Sequence, residues 1–179
     1  MSQEIGDATA PRLGSPDVSV EIRQFAGRDA LSTWQVFQAA VRQLAVRDYT
    51  VEQVSAWAPE TVDLATWQKR RERAFTLVAV TDGQLAGFTD LTDLTDLTDT
   101  GLVDMLFVHP DHAGRGVGRL LLEAVIDTAR ACGLTRLHTH ASRTAQPVFE
   151  RLGFITDRLN ESNWIRGQNL PNYDMHLDL

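Results

Sequence analysis

An α+β fold with a mixed, mostly antiparallel sheet is predicted by three observations. Several short stretches alternate apolar and polar residues at the period of a strand. Asp82-Gly83 joins two β-rich runs in "TLVAVTDGQLAGFTD", which marks a tight hairpin and therefore antiparallel pairing. Near residues 102–141 a strand, an amphipathic helix and a second strand follow one another, and that order implies one parallel pair.

Taken in order, residues 1–17 are polar and broken by Pro11, Gly14 and Pro16, so a flexible lead-in is expected, with the folded domain over 18–179. "VSVEIRQF" alternates as a strand. Asp29 is placed to cap a helix whose apolar face is Leu31, Trp34, Val41 and Leu44. Thr50 and Gln53 have capping-box spacing at the start of the next helix. A third helical stretch, "ETVDLATWQKRRERA", is polar on most of its circumference. After the hairpin, "GLVDMLFVHP" is a strand stopped by Pro110. Residues 115–132 form a helix with Val117, Leu120, Leu121, Ala124, Val125 and Cys132 inward, and Gly133 ends it. "LTRLHTHAS" is a strand, "TAQPVFERLGF" a short helix stopped by Gly153, and "NYDMHLDL" a closing strand. The predicted order is β-α-α-β-β-β-α-β-α-β.

The chain has 179 residues, enough for one domain with its own core. A net charge of −7 argues against general nucleic-acid binding, which depends on Lys and Arg. No apolar run is long enough for a membrane span, and the acidic start does not resemble a secretory signal. The single cysteine, Cys132, rules out an internal disulfide and suits a reducing cytoplasm. "TDLTDLTDLTDT", from Thr89 to Thr100, repeats every three residues, which is neither strand nor helix period. Its aspartates lack the spacing of an EF-hand, so it reads as a lengthened hairpin tip carrying negative charge, and no metal is expected.

"AGRGVGR" (residues 113–119) follows a strand and opens a long helix. It lacks the Lys-Ser/Thr of a triphosphate-binding loop and the last glycine of a dinucleotide fingerprint. What it offers is glycine backbone that an anion can approach, a helix N-terminus, and the charges of Arg115 and Arg119. That suits a pyrophosphate. The plainer alternative is a glycine-rich strand-to-helix turn.

"LFVHPDHAGRGVGRLLLEA", followed by "ASRTAQPVFERLGF", resembles the GNAT superfamily of acyl-CoA-dependent N-acyltransferases, and the resemblance spans about 18–179. The family's loop pattern, [QR]-x-x-G-x-[GA], falls on Ala113 to Gly118, with Ala113 departing from Gln or Arg. The resemblance implies an αβα sandwich with one splayed parallel strand pair. Acetyl-CoA would be the co-substrate, its pyrophosphate on Gly114, Arg115, Gly116, Val117, Gly118 and Arg119 and its pantetheine arm along Leu106, Phe107 and Val108. A backbone N–H near Phe107 would stabilise the oxyanion. The acceptor would be a primary amine of a small molecule, attacking directly, and the enzyme a monomer or homodimer.

Two proton transfers need groups. Asp104, a carboxylate within an apolar strand, is a candidate to take the ammonium proton directly or through water; otherwise it is an exposed residue on the strand's polar face. Phe149 stands where the family often has a proton-donating Tyr, so Ser142 and Tyr173 are the substitute donors to the CoA thiolate. His138 and His140 share one face of their strand, where His140 shapes the acceptor pocket or serves as a base. Tyr49, Trp57 and Trp164 are candidate pocket walls. Cys132, near a helix C-terminus and on the core face, reads as structural. Two other readings stay open: an acyl-CoA-binding module without turnover, and an enzyme acting on a protein N-terminus or lysine.

Overall fold

The computed structural model describes residues 19–93 and 99–179. β1 (Val20–Gln24) leads through a 3-10 turn at Gly27–Asp29 into α1 (Ala30–Gln43). Asp29 itself has helical dihedrals, φ −84° and ψ −5°, so its carboxylate does not cap α1. It turns back instead, accepting from the Ala26 N–H at 2.8 Å and from both terminal nitrogens of Arg23 at 2.7 and 2.9 Å. The inserted turn also rotates α1. It buries Thr33, Val36, Phe37, Ala40 and Val41 and leaves Leu31 52% exposed, where an inward Leu31 was expected.

α2 (Val51–Trp57) begins with the expected box: Gln53 N–H donates to Thr50 Oγ1, and Thr50 N–H donates to Gln53 Oε1 at 2.8 Å. α3 (Leu64–Arg73) is capped by the Asp63 carboxylate. Three helices therefore separate β1 from β2 (Phe75–Thr81), matching the three helical stretches expected there although the condensed order writes only two. β2 turns into β3 (Gln84–Thr92) through Asp82 and Gly83, both at positive φ, as a two-residue hairpin of the primed type requires.

β4 (Thr100–Val108) runs back beside β3, and α4 (Val117–Ala131) crosses to β5 (Arg136–Ser142). α4 ends as expected. Gly133 is left-handed, its N–H bonds to Arg130 C=O, and Leu134 N–H bonds to Ala129 C=O. Cys132 corrects the sequence reading, being exposed at the C-cap of α4, past the buried stripe of Leu121, Leu122, Val125, Ile126 and Ala129. α5 (Gln146–Arg151) is followed by strands the sequence did not disclose: β6 (Ile155–Asn160) and a small hairpin of β7 (Trp164–Ile165) and β8 (Gln168–Asn169). β9 (Asn172–Asp178) closes the chain.

The seven main strands order as β1-β2-β3-β4-β5-β9-β6, antiparallel throughout except β4–β5. Leu77, Leu91, Leu137 and Met175 face α4 and α5 in one core; Val78 and Phe88 face α1–α3 with Phe37 and Trp67 in another. The sheet is thus covered on both sides, an αβα sandwich. Part of the Thr-Asp-Leu repeat lies outside the described residues. Its first turn is not a charged tip: Thr89, Asp90 and Leu91 are fully buried in β3. Among the described residues no helix is long and apolar enough to cross a membrane, and no group of three or more His, Cys, Asp or Glu stands where it could hold a metal ion.

Candidate active site

β4 keeps its partner β3 from Leu102 to Val108, but its parallel pairing with β5 covers only Thr100↔Arg136 to Val103↔Thr139. Thr139 Oγ1 fastens the last pair by donating to Val103 C=O at 2.9 Å. Beyond it the strands part. The register beside β3 jumps from Met105 to Val103, so Asp104 is an extra, bulged residue, and a bulge bends its strand. The bend opens a fork whose β4 side presents backbone groups with no β5 partner. A cavity of about 550 Å³ fills the fork, bordered by Asp104–Phe107 on one strand and Thr139–Ser142 on the other.

The glycine loop lies at the same end of the sheet. Gly87 lets α4 approach: a Cβ there would sit 2.8 Å from Phe107 O and 3.2 Å from Val117 Cγ1. Gly114 and Gly116 are left-handed, at φ +74° and +83°, and a Cβ on either would meet nothing within 4 Å. Those glycines are therefore needed for backbone shape, with open space above them. Gly116 caps α4, whose first N–H groups have no partner within the helix. Val117 buries its side chain, so it contributes backbone alone, while Arg115 and Arg119 are exposed and Arg119 pairs with Glu123 at 3.2 Å. From Gly118 an apolar channel of about 120 Å³ runs past Val108 and Leu106 to Phe107 and Trp57. A bare N-terminus joined to an apolar channel that ends at the fork fits a long cofactor with a phosphorylated head and a thin arm.

On the other side of the fork, Tyr49, Trp57 and Phe107 form a wall, with Trp57 5.6 Å from the Tyr49 ring and 6.0 Å from the Phe107 ring. Tyr49 is locked: its hydroxyl donates to Pro171 C=O at 2.8 Å and accepts from Arg143 N–H at 3.0 Å. Burial pushes its phenol above the ordinary range. Ser142 lines both spaces, and its Oγ accepts from Ala145 N–H at 3.1 Å, leaving its proton free to donate. Asp104 is exposed at the root of the fork. His140 lines the same cavity and holds Asp174 through Nδ1 at 2.7 Å.

Two expected residues lie elsewhere. Tyr173 pairs with Ala141, shares the face turned to α4 and α5, and packs into that core instead of bordering the cavity. Trp164 is 67% exposed on the small hairpin and is not part of the wall. Phe149, against Phe154, does reach the cavity. Sequence reasoning missed Arg70, on the polar side of α3, Asn160 at the end of the unforeseen β6, Asn163 in the loop after it, and Asn172, the first residue of the expected closing strand. Asn172 Oδ1 is buried with no hydrogen-bond partner among the described residues.

A family model for an acetyltransferase (GNAT) domain matches residues 45–173. The N-acetyltransferase YafP of Escherichia coli K12, itself uncharacterised, is 32% identical over 138 residues, covering 77% of this chain and 83% of that one. The L-amino acid N-acyltransferase MnaT of the same organism is 35% identical over 85 residues, 43% of this chain and 49% of its own. The crystal structure of a GCN5-related N-acetyltransferase from Rhodopseudomonas palustris superposes with a TM-score of 0.83 at 34% identity, over 93% of this chain and all of that one. The yncA acetyltransferase of Salmonella typhimurium, solved with acetyl-CoA, gives 0.67 at 25% identity over 89% and 94%. On the forked strand pair, the glycine cradle and these matches together, the chain belongs to the GNAT acetyltransferases.

Proposed function

We propose that this protein is an acetyl-CoA-dependent N-acetyltransferase acting on the primary amine of a small molecule. The observation that carries the reading is the fork cavity, whose volume of about 550 Å³ lies in the range of small-ligand sites and whose wall is aromatic. Acetyl-CoA, the cofactor with which the yncA neighbour was solved, would supply the activated acyl group as a thioester. Residues 114–119 hold its pyrophosphate through backbone N–H groups, and the free edge of Leu106–Val108 holds its arm. A β4 backbone N–H near Phe107 faces the developing oxyanion.

The amine attacks directly within a ternary complex. Cys132, the only thiol, sits at the far end of the fifteen-residue α4, roughly 22 Å of helix from the cradle, and forms no acyl intermediate. Asp104 draws the acceptor's ammonium to the fork root, and Ser142 donates toward the leaving sulfur. Arg70 supplies a cation on the same cavity, so a small amine bearing its own carboxylate is held at both ends. The L-amino acids named as the acceptors of MnaT fit that charge pattern.

The test is release of CoA thiol from acetyl-CoA across a panel of amines, free amino acids and peptides, for wild type, Asp104→Asn and Tyr173→Phe. Amine-dependent release is expected, with Asp104→Asn raising KM about tenfold or more and Tyr173→Phe close to wild type. Binding of acetyl-CoA with no release from any acceptor would favour a non-catalytic binding module. Preference for peptides over free amino acids would favour a protein N-terminus or lysine as acceptor.

A further inference from the structure

We infer that the imidazole of His140, held by Asp174, takes the proton from the acceptor's ammonium; the inference rests on the small-amine reading above. Position is the first argument. Val103 and Thr139 make the last β4–β5 pair, so Asp104 and His140 are the next residues on their strands, one on each side of the fork root. Both line the acceptor cavity.

The second argument is the hydrogen bonding. His140 Nδ1 lies 2.7 Å from Asp174 Oδ1, and Asp174 Oδ2 accepts from Arg158 Nε at 2.6 Å. Burial pushes the Asp174 carboxyl up, but the bonds from Arg158 and His140 outweigh it and hold the group below the ordinary carboxylate range. An ionised carboxylate only accepts, so Nδ1 carries a hydrogen and the lone pair of the neutral ring resides on Nε2. Asp174 is 16% exposed and fixes the ring, while the imidazole is 58% exposed. Asp174 is thus a positioning residue and His140 a catalytic one.

The chemistry needs this group. A carboxylate such as Asp104 attracts an ammonium but is a weak base toward it, whereas an imidazole accepts protons near neutral pH. One proton passes from R–NH3+ to His140 Nε2. The freed amine bonds to the acetyl carbon, the carbon–sulfur bond breaks, and the departing thiolate takes up the remaining surplus proton of the new amide nitrogen by way of Ser142. His140 then returns its proton to solvent. It has a route, since the ring is 58% exposed and also borders a second groove of about 430 Å³ lined by Asp157, Arg158 and Asp174. Charged and titratable groups around the ring are Asp104 on β4, His138 on its own strand, Asp174 and His176 on β9, Asp157 and Arg158 on β6, Asp93 after β3, and Arg70 and Tyr49 across the cavity.

The neighbouring pair His176–Asp157, also 2.7 Å, does not border the acceptor cavity and provides a control. Two measurements test the inference on the full chain. In the pH profile of kcat/KM, His140→Gln is expected to lose the acid limb and about 100-fold in rate at neutral pH, with acetyl-CoA affinity unchanged by calorimetry. His176→Gln should keep the wild-type profile. In nitrogen-15 spectra of labelled histidines, the neutral His140 ring should carry its hydrogen on Nδ1, and Asp174→Asn should abolish that tautomer preference, because the carboxylate that accepts the Nδ1 hydrogen is gone. An active His140→Gln with the acid limb intact, or a ring indifferent to Asp174→Asn, would overturn the inference alone. A wild type that binds acetyl-CoA but acetylates no amine would overturn the acceptor reading and this inference with it.

Discussion

Arg71 and Asp90 meet inside the molecule, with 4% and 1% of their side chains exposed and a contact of 2.8 Å. Thr76 donates a second hydrogen bond to Asp90 at 2.8 Å, the guanidinium stacks 4.1 Å from the Trp67 ring centre, and its Nη2 reaches Met105 Sδ. The pair therefore stands directly behind the bulge that opens the fork. Removing one partner strands the other charge. Arg71→Leu is expected to cost about 3–5 kcal/mol in urea unfolding, and adding Asp90→Leu to recover much of that loss. A double mutant no more stable than Arg71→Leu would show that the charge is not the cause. None of this was legible in the sequence, because Asp90 is the first of several aspartates in a repeat and only the sheet register puts it inside. Cys132 escaped for another reason: α4 ends at Ala131, so the apolar stripe stops short of it. Tyr173 lies with Met175 and Leu177 on the core face of β9.

At the scale of elements, α4 was legible except for Cys132 past its end, since glycine, helix start and apolar stripe are all local signals. Gly116→Ala is expected to cost about 1–2 kcal/mol, the strain of a side chain at φ +83°, because a Cβ meets no atom there. It should also weaken acetyl-CoA binding in calorimetry; unchanged affinity would detach the cradle from the cofactor. α1 was legible as a helix but not in its phase, which the Gly27–Asp29 turn sets. Hydrogen bonds from Arg23 hold the Asp29 carboxyl below its ordinary range. As pH falls the unfolded chain therefore takes up this proton first. The contribution of Asp29 is present above about pH 4 and is lost as pH falls through the lower folded value. Wild type should exceed Asp29→Asn in stability at pH 7, and the gap should close toward pH 2, as followed by thermal melts. β6 stayed hidden because an edge strand exposed on both faces has no two-residue period, and the β7–β8 hairpin because its turn is Arg166-Gly167, with an arginine at φ +47°.

For the whole molecule, fold class followed from the order of elements, which needs no knowledge of faces. The hairpin demanded antiparallel strands, the α4 crossover demanded a parallel pair, and the observed sheet has both. The fork cavity was legible only in part. Asp104, Tyr49, Trp57 and His140 stand out as chemistry within strands or as aromatics, but Arg70 and Asn172 join them only after the sheet is assembled. Two cores share the work of building that site. The α4 side presses the cradle against β3, and the α1–α3 side supplies the aromatic wall.

The most direct test is the crystal structure of this protein with CoA and an L-amino acid. The account predicts the pyrophosphate on the amides of residues 114–119, the arm along Leu106–Val108, the sulfur in the fork between β4 and β5, and the amino group beside Asp104 and His140. Cofactor density away from the cradle, or an amino acid outside the fork, would contradict it.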